Sequence, residues 1–217
     1  MAQSLHYSER APEAIAAARR SLEIYERVCG PEHPRVGAVL GNLAILHSLS
    51  ERYDEAIALF DRARRITEAR DGAEHADNGT NWLNIASTRK AAGQLDAAAT
   101  GYLRAIEIGE HALGKDHVEL ARPLVGLADV ELQRRAPERA LPLLERGLAL
   151  RTANAANPST LAHTRFLLAK ALRALRRDPA RVAALAKQAR DAYAAAEDAD
   201  EGAAIDAWLK TSGRAAP

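Results

Sequence analysis

Three features of the 217-residue chain predict an all-α fold of about ten helices stacked as antiparallel pairs. Good helix formers dominate, with Ala, Leu, Arg and Glu spread throughout. Aromatic residues make up only 4%, low for a β-sandwich or a dinucleotide-binding domain, and the alternating Val, Ile and Thr runs of strands are missing. Finally, one pattern returns every 42 residues, and a fixed period of roughly 20–50 residues marks a repeat architecture.

Several positions carry that period together. Ala14, Ala56, Ala98 and Ala140 are followed by Val182 in the next slot; Ala18, Phe60, Tyr102, Leu144 and Ala186 form a second series; Ile24, Ile66, Ile108, Leu150 and Ala192 form a third. Upstream, NLA (42–44), NIA (84–86) and GLA (126–128) keep the spacing, and LLA (167–169) comes one residue early.

Taken in order, the elements follow from this register. One period before Leu43 and Ala44 lie Met1 and Ala2, so the chain opens inside what should be a first helix A. Residues 9–28 then read as a helix B lacking most of its partner: either that first helix is abbreviated or the chain is the tail of a longer protein. Helix pairs are predicted over 35–69, 77–112, 119–152 and 160–197. Each first helix carries an i, i+3, i+4 apolar stripe, such as Leu40, Leu43 and Ala44, copied as Trp82, Ile85, Ala86 and as Leu124, Leu127, Ala128. A second stripe, Ala56, Ile57, Phe60 and Ala63, opens about three turns later. Between the stripes lie SERYD, AAGQLD, RRAPE and RRDPA, where Gly93, Pro137 and Pro179 end one helix and begin the next. The alanines at 44, 56, 86, 98, 128 and 140 are small so that paired backbones can approach to about 8 Å. Residues 201–210, EGAAIDAWLK, predict a capping helix with Ile205, Trp208 and Leu209 on one face, after which TSGRAAP frays. Neither helix of a pair can bury its stripe alone, so the pairs stack into a single domain over 1–217.

This pattern resembles the tetratricopeptide repeat, in the 42-residue form found in kinesin light chains. The residues that carry the likeness are NLA…ERYDEA…RARRI, NIA…GQLDAA…RAIEI, and the loops GPEHP (30–34), GAEHA (72–76) and GKDHV (114–118). The resemblance covers about residues 9 to 197 and implies a right-handed α-solenoid. His47, Arg89 and Glu131 stand where such repeats usually close helix A with an aromatic or apolar residue, which predicts loose packing there. The fourth unit departs furthest, with Arg165 in place of Leu or Trp.

Composition excludes several classes. Thirty basic against 29 acidic residues leave a net charge of +1, which argues against bulk-charge binding to nucleic acid. The single cysteine, Cys29, rules out an internal disulfide and a cysteine-based zinc site. No long apolar run or signal-type core is present, so a cytoplasmic protein without membrane contact is expected, and the sequon Asn78-Gly79-Thr80 is read as a loop. His33, His75 and His117 recur at 42, but equivalent positions on stacked helices lie at least about 8–10 Å apart, too far for one zinc ion. They are read as helping to start the next helix A. Glu51, Asp54 and Glu55 suit a helix start through the macrodipole; Arg134, Arg135, Arg176 and Arg177 suit helix ends; Trp82 and Trp208 are read as packing residues. No motif for phosphate cradling, nucleophilic catalysis or metal hydrolysis occurs, so no catalytic residue, metal or cofactor is expected.

What remains is a surface. The outward stripe of each first helix runs through Ala38, Gly41, Asn42, Ile45, Ser48 and Leu49; Thr80, Leu83, Asn84, Ser87, Lys90 and Ala91; Arg122, Val125, Gly126, Asp129, Leu132 and Gln133; and His163, Phe166, Leu167, Lys170, Arg173 and Ala174. The family resemblance implies that Asn42 and Asn84 hold a bound peptide's backbone or terminal carboxylate, since an amide both donates and accepts. The expected peptide groove comprises Asn42, Asn84, Leu83, Ser87, Lys90, Arg122, Asp129, Phe166, Lys170 and Arg173. Its basic tilt predicts a protein or peptide partner that is acidic or carboxylate-bearing. Two other readings stand beside it: a regulatory C-terminal segment of a larger bacterial enzyme or regulator, such as a serine/threonine kinase, inactive alone; and self-association through apolar surface left open at the N-terminus.

Overall fold

The structure, a computed structural model, describes residues 2–196 and 199–211. Those residues form ten α-helices and one 3-10 turn, with no strand among them, and none of the helices is long and apolar enough to cross a membrane. The chain divides into two compact units, Met1–Lys115 and Asp116–Pro217. In the first, α1 (Ala2–Cys29), α2 (Pro34–Leu49), α3 (Tyr53–Asp71), α4 (Ala76–Ala91) and α5 (Leu95–Leu113) each pack on the next. In the second, a 3-10 turn (Val118–Leu120) leads into α6 (Ala121–Gln133), α7 (Pro137–Ala153), α8 (Pro158–Ala174), α9 (Pro179–Ala195) and α10 (Ala199–Thr211), again neighbour on neighbour. Residue 197, expected to close the fourth pair, and residues 212–217, expected to fray, lie outside the described residues.

The small-residue positions do what their size requires. Ala44, Ala56, Ala86, Ala98, Ala128 and Ala140 are all fully buried. In the α4/α5 pair the approach is close enough that a Cβ added to Gly101 would stand 3.0 Å from the Ala86 Cβ. The larger repeated positions fill the space between pairs: Phe60, Tyr102 and Leu144 are at most 3% exposed, and Gly37 and Gly79 lie against Ile66 and Ile108 at 3.5 and 3.3 Å from a Cβ.

The helix ends repeat as well. His33, His75 and His117 each accept, through Nδ1, the backbone N–H two residues on, at 3.2, 3.3 and 3.3 Å. Asn157 does the same for Ser159 at 2.9 Å. These are the N-cap bonds that satisfy an otherwise orphaned donor, so the histidines start helices, as expected of them. Asp54 and Glu55 lie in the first turn of α3. Between the two helices of a pair the chain turns on a left-handed residue at a fixed register: Glu51, Gly93, Arg135 and Arg176, with φ of 58°, 74°, 59° and 52°; the fourth turn adds Asp178 at 42°.

Three expectations need correction. Residues 2–29 form one unbroken helix, not the remnant of a helix A followed by a helix B. Glu9 occupies the register of the left-handed turn residues, yet the helix runs through it and through Pro12, at the loss of the one intrahelical bond that proline cannot donate. Ile24, in the register of buried Ile66 and Ile108, is 51% exposed. The sequon is not a loop: Asn78 sits in the first turns of α4, 1% exposed, its amide donating to the Ala73 carbonyl at 3.1 Å. Finally, the polar residues closing helix A are not loosely packed at two of three sites. His47 and Glu131 are 1% and 6% exposed, each with one unpartnered atom, Nδ1 and Oε2; Arg89 is half-buried.

Candidate functional site

Within the first unit, α2, α3 and α4 enclose a cleft of about 330 Å³. Its floor is apolar and small, from Gly37, Ala63 and Ile66, and its walls include Ala38, Gly41 and Thr80. Its polar lining is Thr67 and Arg70 from the last turns of α3, with Asp77 and Asn81 from the start of α4. Asn81 donates to the Thr67 hydroxyl at 3.2 Å, leaving its own carbonyl oxygen toward other donors. Arg70 chelates Asp71, with Nε to Oδ1 at 2.7 Å, and reaches Asp77 at 3.9 Å. That pairing raises Arg70 above the usual arginine value and holds Asp71 below the usual carboxylate value, the hydrogen bond between them being the main cause in both.

Among the described residues, one group of side chains brings metal-ligand atoms together: Asp71, His75 and Asp77, within 4.8 Å of one another. The set suits an ion-pair cluster better than a cation. Arg70 already faces both carboxylates, and His75 Nδ1 is engaged by the Asp77 backbone N–H.

The structure sorts the residues expected to form a groove into three groups. Asn42 and Ser87 are exposed and Asn84 half-buried, on α2 and α4 of the first unit; Ser87 accepts the hydroxyl of buried Tyr102 at 3.1 Å. Lys90 and Asp129 are half-buried and Arg122 is exposed. The apolar members are not an open patch: Leu83, Val125, Phe166 and Leu167 are 8%, 4%, 6% and 3% exposed. Val125 lies against α7, where a Cβ added to Gly147 would stand 2.8 Å from it, and Phe166 is covered by α10. Trp208 meets Phe166 edge to face, centroids 5.2 Å apart, and Arg173 lies 3.4 Å over the Trp208 ring while donating to its carbonyl at 2.9 Å. Lys170 Nζ lies 4.3 Å from the Phe166 ring centre. Phe166 and Arg173 thus hold the capping helix.

Of the cleft, the outward stripe includes Ala38, Gly41 and Thr80 but misses Thr67, Arg70, Asp77 and Asn81. Three of those four break the repeat: Thr67, Arg70 and Asn81 stand where the next unit has Gly109, Ala112 and Pro123. A polar residue where the next repeat carries a small or apolar one is the signal that could have found them.

Paired helices at a fixed 42-residue register, with alanine seams and capped starts, define a helical repeat protein. The family model for the tetratricopeptide repeat matches residues 1–69 and 77–153. The chain belongs to the tetratricopeptide repeat family. Among solved structures it is similar to BtubC (BKLC) from P. vanneervenii, with a TM-score of 0.67 at 20% identity over 86% of this chain and 92% of that one. A P. anserina chain assigned as a kinesin light chain with nearly identical TPR-like repeats gives 0.69 at 20% identity, over 89% and 93%. Bacillus thuringiensis PlcR, solved in complex with the peptide PapR7 and DNA, gives 0.66 at 14% identity, over 94% and 74%. No curated protein matches the sequence.

Proposed function

We propose that the chain is a non-enzymatic interaction module of the cytoplasm that holds a peptide segment of another protein against the first helices of its pairs. The carrying observation is the cleft between α2, α3 and α4: small walls, exposed polar groups of both kinds, and about 330 Å³ of room, enough for a few side chains. Asn42, Asn84 and Ser87 lie further along the same two helices and would continue the peptide's path; Ile45 and Leu49, 46% and 60% exposed, add apolar contact. The likeness to a fold solved with a bound peptide supports the reading. Lys90 stays in the proposed groove of the first unit, and Arg122 and Asp129 lie on the first helix of a pair in the second; Leu83, Phe166 and Arg173 serve the core and α10.

Ala38 is exposed and lines the cleft, so Ala38→Trp fills it without touching the core. Proteins retained by the immobilised wild-type chain should be lost from A38W and kept by L103S, a change at an exposed residue of α5. Identical retention by A38W and wild type, with unchanged helical circular dichroism, would reject the cleft.

A further inference from the structure

The cleft of the first unit contains one polar group whose orientation is forced. Thr67 has a single hydroxyl proton, donated to the Ala63 carbonyl at 3.2 Å. Toward Asn81, 3.2 Å away, that hydroxyl can therefore only accept, and the Asn81 amide must turn its NH2 to it. With the amide reversed, two acceptors would compete for one proton. Asn81 lines the cleft, so its Oδ1 is held there as a fixed acceptor for a donor brought by a ligand. The next unit has Gly109 and Pro123 in the places of Thr67 and Asn81, so this device is not repeated there.

The charge of the cleft has the matching sign. Asp77 stands one helical turn before Asn81 on α4, and both line the cleft. Its side chain is 64% exposed and lies 3.9 Å from Arg70, too loose a pair to occupy it. Arg70 instead commits its Nε–Nη2 edge to Asp71, and those two charges cancel. His75 accepts at Nδ1 from the Asp77 N–H and adds no charge. Asp77 thus leaves the polar side of the cleft with an excess negative charge, above a floor of Gly37, Ala63 and Ile66 that offers only apolar surface.

We propose that this cleft is a pocket for a lysine side chain of the bound segment. The four methylenes of lysine lie on the apolar floor, and the ammonium, a compact triple donor, reaches Asn81 Oδ1 and the Asp77 carboxylate. A carboxylate in the same place would meet a fixed acceptor and a like charge. The ligand is thus opposite in sign to the acidic partner that the basic tilt of the outward stripe predicts. Thr67 is a positioning residue, acting through the amide that it orients. The inference deepens the interaction-module reading and rests on it.

The test uses the full chain and three doubly capped tripeptides, Gly-Lys-Gly, Gly-norleucine-Gly and Gly-Glu-Gly, at constant ionic strength. In heteronuclear NMR spectra the lysine peptide should give saturable shifts of the Asn81 side-chain amide and the Thr80 backbone amide. It should bind at least about fivefold more tightly than either of the others. Asp77→Asn, a surface change, should weaken it about threefold or more. Thr67→Val, which keeps the shape and frees the Asn81 amide to reverse, should narrow the preference for lysine over glutamate, whereas a merely structural role would leave that ratio unmoved. Equal or tighter binding of the norleucine or glutamate peptide, or indifference to both D77N and T67V, would overturn the lysine pocket. The two readings fail separately. Partners retained by A38W while its lysine-peptide shifts vanish would reject the cleft as the partner site and leave the pocket standing; partners lost from A38W with no preference for lysine would do the reverse.

Discussion

Glu51, Arg135 and Arg176 hold the same left-handed backbone as Gly93, and a side chain there costs roughly 1–2 kcal/mol. Glycine at those sites removes the strain but frees the unfolded chain. R135G and R176G should each gain about 0.5–1 kcal/mol, read as a rise in the denaturant midpoint with an unchanged slope. The strain was invisible in the sequence because only one of the four turns is written with glycine. The capping histidines were legible because they recur beside a glycine. His47 offers a second residue-scale test. Burial, followed by the charges of Arg52 and Arg19, lowers its pKa below the ordinary 6.5. The folded chain therefore binds that proton less readily than the unfolded one, and stability present above about pH 6.5 is lost as pH falls through the lowered folded pKa. His47→Leu should flatten the fall in thermal midpoint between about pH 7.5 and 5.5, and it removes an unpartnered Nδ1 as well. An equally steep fall in the variant would refute the assignment.

At the level of the helix, the alanine seams make the firmest forecast. Ala98 is fully buried where α4 meets α5, so Ala98→Leu should overpack and cost roughly 1–3 kcal/mol by denaturant titration, more than the same change at exposed Ala91. Such seams can be read from sequence because a helix pair has one closest line of approach, and only small residues fit along it. The first helix could not be read this way. Its register supplied a turn position, but Glu9 and Pro12 carry no local signal strong enough to force a break. The last helix was anticipated as a cap; what periodicity does not report is which side chains it takes. Trp208→Ala should remove the edge-to-face contact with Phe166, uncover that ring, and lower stability by about 3 kcal/mol or more if the site cannot collapse. Enhanced binding of a hydrophobic dye by W208A would show the uncovered face.

Taken whole, the chain is a series of local agreements, each helix touching mainly its sequence neighbours. In such arrays stability is the sum of neighbouring terms. His47→Leu should therefore raise amide protection in α2 and α3 while leaving that of Leu168 and Ala186 in the second unit as it was, a comparison hydrogen exchange makes directly. The same locality explains how far function could be read from residues alone. A 42-residue period indicates which positions face away from a helix's own partner, and Ala38, Asn42, Thr80 and Arg122 are exposed, whereas Ser87 accepts from Tyr102 of its partner α5. It does not tell which of those positions lie against another helix, which is why Val125, packed on Gly147 of α7, and Phe166, under Trp208, were taken for open surface. Nor does it reach Thr67 or Asn81, whose meaning lies in what they do not share with their counterparts.

The turn on Glu51, Gly93, Arg135 and Arg176 gives each pair the same hinge, and the side-chain cap on His33, His75, His117 or Asn157 gives each pair's first helix the same latch. A gene that duplicates or drops one such length makes its new junction from parts already proven to fit. The protein can lengthen or shorten by whole modules while single sites such as Asn81 drift toward new tasks, much as a ruler can be extended without recutting its marks.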